Sequence, residues 1–373
     1  MRDETIWTVL HKAWDCGSKS GRLMRQLQMQ VSGQQFWEME KGELEQQFPQ
    51  VPEALWERYF AQRKQSDLNR VEAYLDHNKI HVLLFTNPSY PSLLKEIYQP
   101  PALLYYKGNF APADLNIAIV GSRKADHYGL NVAEQLGSQL SCAQVCIVSG
   151  LARGIDAKAH QGALDGAAGT IAVQGCGMDQ IYPRDNKKLA EQILAHEKGC
   201  IISEFPLGSL PESWHFPQRN RIISGLCQGV VIVQATAKSG ACITVESALE
   251  QGRDVFAVPG QIQNPLSTGP HRFLQEGARL VTCGADILEE YGRGTLFVPE
   301  KKTTGKAAVS VCSPELTKEE ERVLQVITAE PITIEEIAYL SKLSIAELMP
   351  ILSMLELYDC IQQMIGRKYI RVG

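Results

Sequence analysis

Three short segments combine a glycine turn with a hydroxyl and a cation, a set of groups suited to gripping phosphate. They are Gly121-Ser122-Arg123, Ser149-Gly150-Leu151-Ala152-Arg153-Gly154 and Lys238-Ser239-Gly240. Each follows an apolar run and precedes a helical pattern, and free N–H groups at a helix start attract anions. One such loop says little, but three on one sheet edge could cradle several phosphates. The competing reading is of tight-turn glycines with no ligand. None of the three matches G-x-G-x-x-G, and G-x-x-x-x-G-K-[ST] is absent, which disfavours a dinucleotide or a nucleoside triphosphate with magnesium.

The densest polar run is Trp214-His215-Phe216-Pro217-Gln218-Arg219-Asn220-Arg221, leading into Ile222-Ile223. Arginines and an asparagine at a helix mouth can contact phosphates or base edges, and neighbouring aromatic rings can stack on bases of any identity. A single nucleic-acid strand needs that pairing. The alternative makes Trp214 and Phe216 core residues and the arginines partners of local acids.

Catalytic readings draw on some of the same segments. Asp156 and His160 are four apart and share a helix face, as an acid–base pair or metal ligands would. Asp156 also falls in a first helical turn, where the helix dipole favours a carboxylate regardless of chemistry. Glu246 follows the Ser239-Gly240 turn and Thr244, so it could steady a ribose while the loop holds a phosphate. That arrangement suits hydrolysis of the N-glycosidic bond of a nucleoside monophosphate, the alternative function. No H-E-x-x-H spacing occurs, and no metal or cofactor is expected.

These loops need a scaffold. Runs such as Ile117-Ala118-Ile119-Val120, Val145-Cys146-Ile147-Val148, Thr170-Ile171-Ala172-Val173 and Val230-Val231-Ile232-Val233 are apolar on both faces and alternate with helical patterns. Strands of that kind form a parallel sheet covered on both sides, with ligands beyond their carboxyl ends. The expected fold class is therefore α/β, with a doubly wound core over 80–290. Residues 1–75 hold Trp7, Trp14, Trp37 and Trp56, four of the five tryptophans, at helical spacings and predict a small helical domain. Residues 291–316 lack periodicity and read as a linker. Over 317–373, Thr317 with Glu320 and Ser344 with Glu347 mark helix starts, a further helix lies near Ile334 to Leu340, and Ile361 to Val372 suits a ribbon turning at Gly366-Arg367. Three helices and a hairpin predict a winged helix, in which Pro350 should kink the third helix or shift its start. Nine acids against six bases in this segment argue against a large part in holding DNA.

The whole chain sets wider bounds. At 373 residues, two or three units are expected. The formal charge of −5 argues against coating DNA by bulk positive charge but permits a local basic pocket. The ten cysteines form no CxxC pair and mostly sit in apolar runs, as reduced buried thiols do. No apolar window is long enough to span a bilayer, and Met1-Arg2-Asp3-Glu4 opens no secretory signal, so a cytoplasmic protein without membrane insertion is expected.

An ordered series of motifs resembles the bacterial DNA-processing protein A family, also called Smf. It comprises Tyr90-Pro91, the segment Pro100 to Gly108, Ala118-Ile119-Val120-Gly121-Ser122-Arg123 and Ser149-Gly150-Leu151-Ala152-Arg153-Gly154-Ile155-Asp156 with His160. It continues with Tyr182-Pro183, Ser203-Glu204-Phe205-Pro206, Phe216-Pro217-Gln218-Arg219-Asn220-Arg221-Ile222-Ile223, Ser239-Gly240 and Val258-Pro259-Gly260. The resemblance implies an extended Rossmann-like core that dimerises, binds single-stranded DNA without catalysis, brings the recombinase RecA onto incoming DNA in natural transformation and helps displace single-strand-binding protein. Carried over by residue, it implies a first phosphate loop at Gly121, Ser122 and Arg123 and a second at Ser149, Gly150 and Arg153. Phe216, Arg219, Asn220 and Arg221 would line the same pocket, closed by Lys238, Ser239 and Gly240. Gln234 departs from the pattern, standing where an acid is common.

Overall fold

The computed structural model describes residues 2–14, 18–293, 317–328, 331–358, 360–364 and 368–371. Chain contacts divide it into two compact units, Met1–Val298 and Pro299–Gly373. Most of the segment read as a linker, 294–316, lies outside the described residues, as does the Gly366-Arg367 turn.

The first unit opens with helices α1 (Asp3–Trp14), α2 (Ser18–Gln28), α3 (Gly33–Glu38), α4 (Lys41–Gln47), α5 (Glu53–Gln65) and α6 (Leu68–His77). A sheet follows, of β1 (His81–Leu84), β2 (Leu103–Gly108), β3 (Asn116–Val120), β4 (Cys146–Ser149), β5 (Thr170–Val173), β6 (Cys200–Ser203), β7 (Gly229–Ile232), β8 (Asp254–Ala257) and β9 (Arg279–Leu280). Between the strands run α7 (Ser92–Lys95), α8 (His127–Cys142), α9 (Ile155–Ala163), α10 (Lys187–Ala195), α11 (His215–Gly225), α12 (Gly240–Glu250), α13 (Thr268–Gln275) and, after β9, α14 (Gly284–Glu290).

The nine strands lie in the order β1-β2-β6-β5-β4-β3-β7-β8-β9. From β6 to β9 every pairing is parallel, while β1 and β2 add an antiparallel edge. The mostly parallel α/β sheet read from the apolar runs is the fold. Strand alternation divides each run between two cores: Ile117 and Ile119 join residues of α8, α9 and α14, whereas Ala118 and Val120 join residues of α11, α12 and α13. The N-terminal helices pack onto the sheet as part of the same unit. Trp7, Leu10 and Trp14 share an apolar cluster with Leu103, Tyr105, Ala172 and Ile201, and the buried His11 ring pairs with the Tyr105 hydroxyl at 2.9 Å.

The second unit holds α15 (Lys318–Val326), β10 (Ile332–Thr333), α16 (Ile334–Ser341), α17 (Ile345–Leu357), β11 (Ile361–Met364) and β12 (Lys368–Arg371), with the strands ordered β10-β12-β11. Thr317 with Glu320 and Ser344 with Glu347 form the capping boxes their spacing predicts, and Thr333 with Glu336 forms a third. The helix holding Pro350 starts at Ile345 and runs through the proline rather than starting beyond it, which costs the bond to Ala346 O. Among the described residues no helix is long and apolar enough to cross a membrane.

Candidate functional site

Strand order reverses at β3, which lies between β4 and β7, so connections leave toward opposite sides there. Beyond the carboxyl ends of β3, β4 and β5 sits a small cavity lined by Arg123, Gly150, Ala152, Arg153, Gly175, Tyr182, Pro183, Phe216 and Arg219. Five residues singled out from sequence therefore meet around one space. Gly121, Ser122, Ser149, Asn220, Arg221, Lys238, Ser239 and Gly240 are outside its lining.

An arginine and two rings form the mouth. The Arg123 guanidinium lies over the Phe216 ring, 5.1 Å from its centroid, and Tyr182 is 5.6 Å from Phe216 between ring centres. Phe216 rests on Gly175, where a Cβ would come within 3.1 Å of the ring. Arg123 and Tyr182 are exposed and Phe216 partly so, leaving aromatic surface beside a solvated cation.

The loop at 149–154 is wired from within. Gly150 N–H donates to the Asp156 carboxylate at 3.1 Å, and Leu151 N–H donates to His160 Nε2 at 3.3 Å. Asn186 Nδ2 donates to Leu151 O and Ala152 O, while Arg219 donates to Gly150 O at 2.6 Å and to Val173 O. The Ser149 hydroxyl is fully buried and donates to Ile119 O at 2.6 Å. In place of a ligand phosphate, the Gly150 and Leu151 amides grip internal groups.

Electrostatics fit that wiring. Burial pushes the Asp156 carboxyl up, opposed by Arg219 and by the Ala152 and Gly150 N–H groups. Burial pushes Arg219 down to about 10, opposed by Asp156, so it stays cationic at neutral pH. Only 4% of Arg219 is exposed, so it is an anchor beneath the loop, and a Cβ on Gly150 would strike its guanidinium. Burial lowers His160 to about 3, and it is neutral. Its Nε2 accepts from Leu151, so Nδ1 carries the proton toward Thr170 Oγ1, whose hydroxyl donates to Ile147 O. Asp156 and His160 each brace the loop and make no contact as a catalytic pair.

The other helix starts are also capped internally. Asp126 accepts from Gly129 N–H at the start of α8, and Ser239 accepts from Ala241 N–H at the start of α12. Gln234 donates to Asp126 at 2.8 Å, a bond that a carboxylate at 234 could not supply, which accounts for the amide there. Ser122 N–H donates to Gln234 O, and Gly121 leaves no room for a Cβ against Ile155 and Gln234. Asn220 donates to Gly240 O at 3.1 Å and ties α11 to the start of α12. Arg221 pairs with the buried Glu204. Lys238 is exposed.

The cations that reach solvent at the mouth are Arg123 and Arg153. Arg153 pairs with Asp185 at 2.5 Å, both well exposed, a contact worth about 0–1 kcal/mol that a phosphate can replace. The cavity, at about 50 Å³, falls well short of the roughly 300 Å³ at which small-molecule pockets begin. Glu246 is outside it, half-buried on α12 and paired with Arg272 at 3.0 Å. His77 and His81 are four apart but fall on α6 and β1, so they share no helix face. Among the described residues no group of three metal-ligating side chains occurs. Tyr182 and Gly175 were missed as site residues; the available signal was the aromatic of the Tyr182-Pro183 pair, recognised only as a motif.

A doubly wound sheet with an open arginine-and-aromatic mouth beyond its carboxyl edge, followed by a winged-helix unit, defines a Rossmann-like protein with a surface crevice in place of a closed nucleotide pocket. The chain belongs to the DNA recombination-mediator protein A family, whose model matches residues 81–292, and the DprA winged helix domain model matches residues 310–367. It is 43% identical over 241 residues to the DNA processing protein DprA of Streptococcus pneumoniae, covering 64% of this chain and 82% of that one. The X-ray structure of DNA processing protein A from that species matches with a TM-score of 0.59 at 41% identity, over 68% of this chain and 87% of the other. A Helicobacter pylori DNA processing protein A, whose structure is described for its single-stranded DNA binding mode, matches with a TM-score of 0.52 at 28% identity, over 58% of this chain and 96% of the other.

Proposed function

We propose that this chain binds single-stranded DNA across the crevice above the sheet, through backbone phosphates and base stacking, without catalysing a reaction on it. The observation that carries this reading is the Arg123 guanidinium over Phe216 with Tyr182 alongside, open to solvent above a cavity too small for a mononucleotide. A base stacks on the rings, and Arg123 and Arg153 take the flanking phosphates. The internally capped loops supply a fixed floor, so little ordering is needed on binding. The Helicobacter pylori relative, described for single-stranded DNA binding, supports the same ligand.

In this reading the DNA-binding part is residues 80–290, flanked by the helical segment 1–75 and the winged helix at 317–373. Lys238, Ser239 and Gly240 continue the path past Asn220. A homodimer in the cytoplasm that hands the strand to RecA and displaces single-strand-binding protein completes the proposal. The support for those partners is family membership. The alternative, N-glycosidic hydrolysis at Glu246, is less favoured, because that carboxylate is outside the crevice lining and paired with Arg272.

The test is fluorescence anisotropy with labelled oligonucleotides. Phe216→Ala should weaken single-strand binding by roughly 1–3 kcal/mol, similarly across base compositions, while duplex binds less well throughout. Equal affinity for single and double strands in one buffer would remove the stacking account.

A further inference from the structure

A larger cleft, of about 400 Å³, opens where the N-terminal helices meet the loops after β5 and β6. Its volume falls in the range of about 300–1,000 Å³ that holds small organic ligands. Arg70 and Tyr74 stand one turn apart on α6, and Lys12 of α1 completes that side of the wall. Tyr74 is 44% exposed.

The charges are arranged unequally. Asp67 and Asp179 also line the cleft, but both are engaged by backbone donors: Asp67 accepts from Asn69 and Arg70 N–H groups at the start of α6, and Asp179 accepts from Gly208 N–H at 2.8 Å. Among the described residues, the side chains of Lys12 and Arg70 form no ion pair or hydrogen bond, and both are exposed. Two solvated cations beside an aromatic ring fit a planar base with its phosphates.

The cleft also adjoins the crevice. One loop, following β5, contributes Gly175, Tyr182 and Pro183 to the crevice and Asp179 to the cleft. From Tyr182 to Asp179 the chain can span at most about 11 Å. Gln174 Nε2 braces the loop by donating to Gly177 O and Gln180 O, each at 3.1 Å.

We infer that this cleft is a nucleotide subsite, in which a base lies against Tyr74 and phosphates meet Lys12 and Arg70, adjoining the crevice along the sheet edge. The inference rests on the single-strand reading of the crevice. The ligand chemistry is a nucleotide, supplied either by the strand that fills the crevice or by a free mononucleotide.

Full-length protein and its Tyr74→Ala, Tyr74→Phe and Lys12→Gln/Arg70→Gln variants are titrated with labelled oligodeoxythymidylates at the two ends of the usual site-size range, about 4 and about 16 nucleotides. Thymidine monophosphate is titrated in parallel by saturation-transfer NMR. If the strand is the source, Tyr74→Ala weakens the long oligonucleotide about tenfold and spares the short one, and Tyr74→Phe restores binding. The double variant then lowers the salt slope for the long oligonucleotide by about 1.4, for two lost phosphate contacts. If the source is a free nucleotide, thymidine monophosphate binds and the variants abolish that binding, with no dependence on oligonucleotide length. Wild-type behaviour of all three variants toward both ligands overturns the subsite. Phe216→Ala separates the two claims: loss of short-oligonucleotide binding there, with the cleft variants neutral, keeps the crevice and rejects the cleft. A neutral Phe216→Ala rejects the crevice.

Discussion

Arg123 and Arg219 look alike in sequence, yet their substitution should have opposite consequences. Arg219 is 4% exposed, holds Gly150 O and Val173 O, and is the main charge countering the burial of Asp156. Truncating it to alanine removes two buried hydrogen bonds from a charged donor, worth about 1.5–3 kcal/mol each, together with a cation that counters the burial of Asp156. Total stability is typically about 5–15 kcal/mol, so the loss is a large fraction of it. At roughly 2–4 °C per kcal/mol for a domain of this size, Tm should fall by at least about 6 °C. Arg123 is exposed, with its guanidinium over the face of Phe216. Its alanine variant forfeits about 0.5–1 kcal/mol of cation–π attraction and one phosphate contact, so the salt slope for a single strand drops by about 0.7 with little change in Tm. Differential scanning fluorimetry and anisotropy across a salt series, on the same two preparations, read both quantities. The reasoning is refuted if Arg219→Ala melts within about 1 °C of the parent while lowering the salt slope as Arg123→Ala does.

Further outcomes follow from the same geometry. Burial holds His11 and His160 at about 3 in the folded chain, against 6.5 when unfolded. The unfolded state therefore binds more protons between those values, and stability falls as pH drops below about 6.5, by about 2 kcal/mol per histidine at pH 5; Asp156, raised by burial, works in the opposite direction. Melting curves at pH 7.5 and 5 check this, and a Tm that rises on acidification contradicts it. Glu246→Ala should leave single-strand affinity unchanged, and incubation with nucleoside monophosphates should release no base from either protein; base release lost on substitution would establish the hydrolase. A chain ending near residue 293 should bind a labelled single strand within tenfold of the full chain, about 1.4 kcal/mol, because α17 carries no Lys or Arg and exposes Ile345 and Met349. A larger loss would place the winged helix in the DNA site.

The parallel sheet and its two-sided cores were legible because each apolar run carries both faces of the sheet in its alternation: Ile117 and Ile119 belong to one core, Ala118 and Val120 to the other. Helix starts were legible at hydroxyl–glutamate pairs three apart ahead of an apolar helical run, as at Ser344 and Glu347. The loop glycines were located correctly, but the use of their amides was hidden. Nothing local to Gly150 says that its N–H will find Asp156, or that Arg219, 69 residues further on, will rise beneath it. Ser149 and Arg221 read as ligand-facing because their types are polar; Ile119 O on β3 and Glu204 just after β6, which hold them, are distant in sequence. Burial of a polar residue depends on those long-range meetings, and residue type does not encode it.

The wiring of the loop at 149–154 also bears on how fast its amides trade protons with water. Loop amides usually exchange within the lifetime of a local fluctuation, since little holds them closed. Gly150 and Leu151 can open only when the bonds to Asp156 and His160 release, and both partners sit on α9 beneath the loop. Their deuterium uptake should therefore follow that of α9 and its neighbouring strands, making this surface loop kinetically part of the interior.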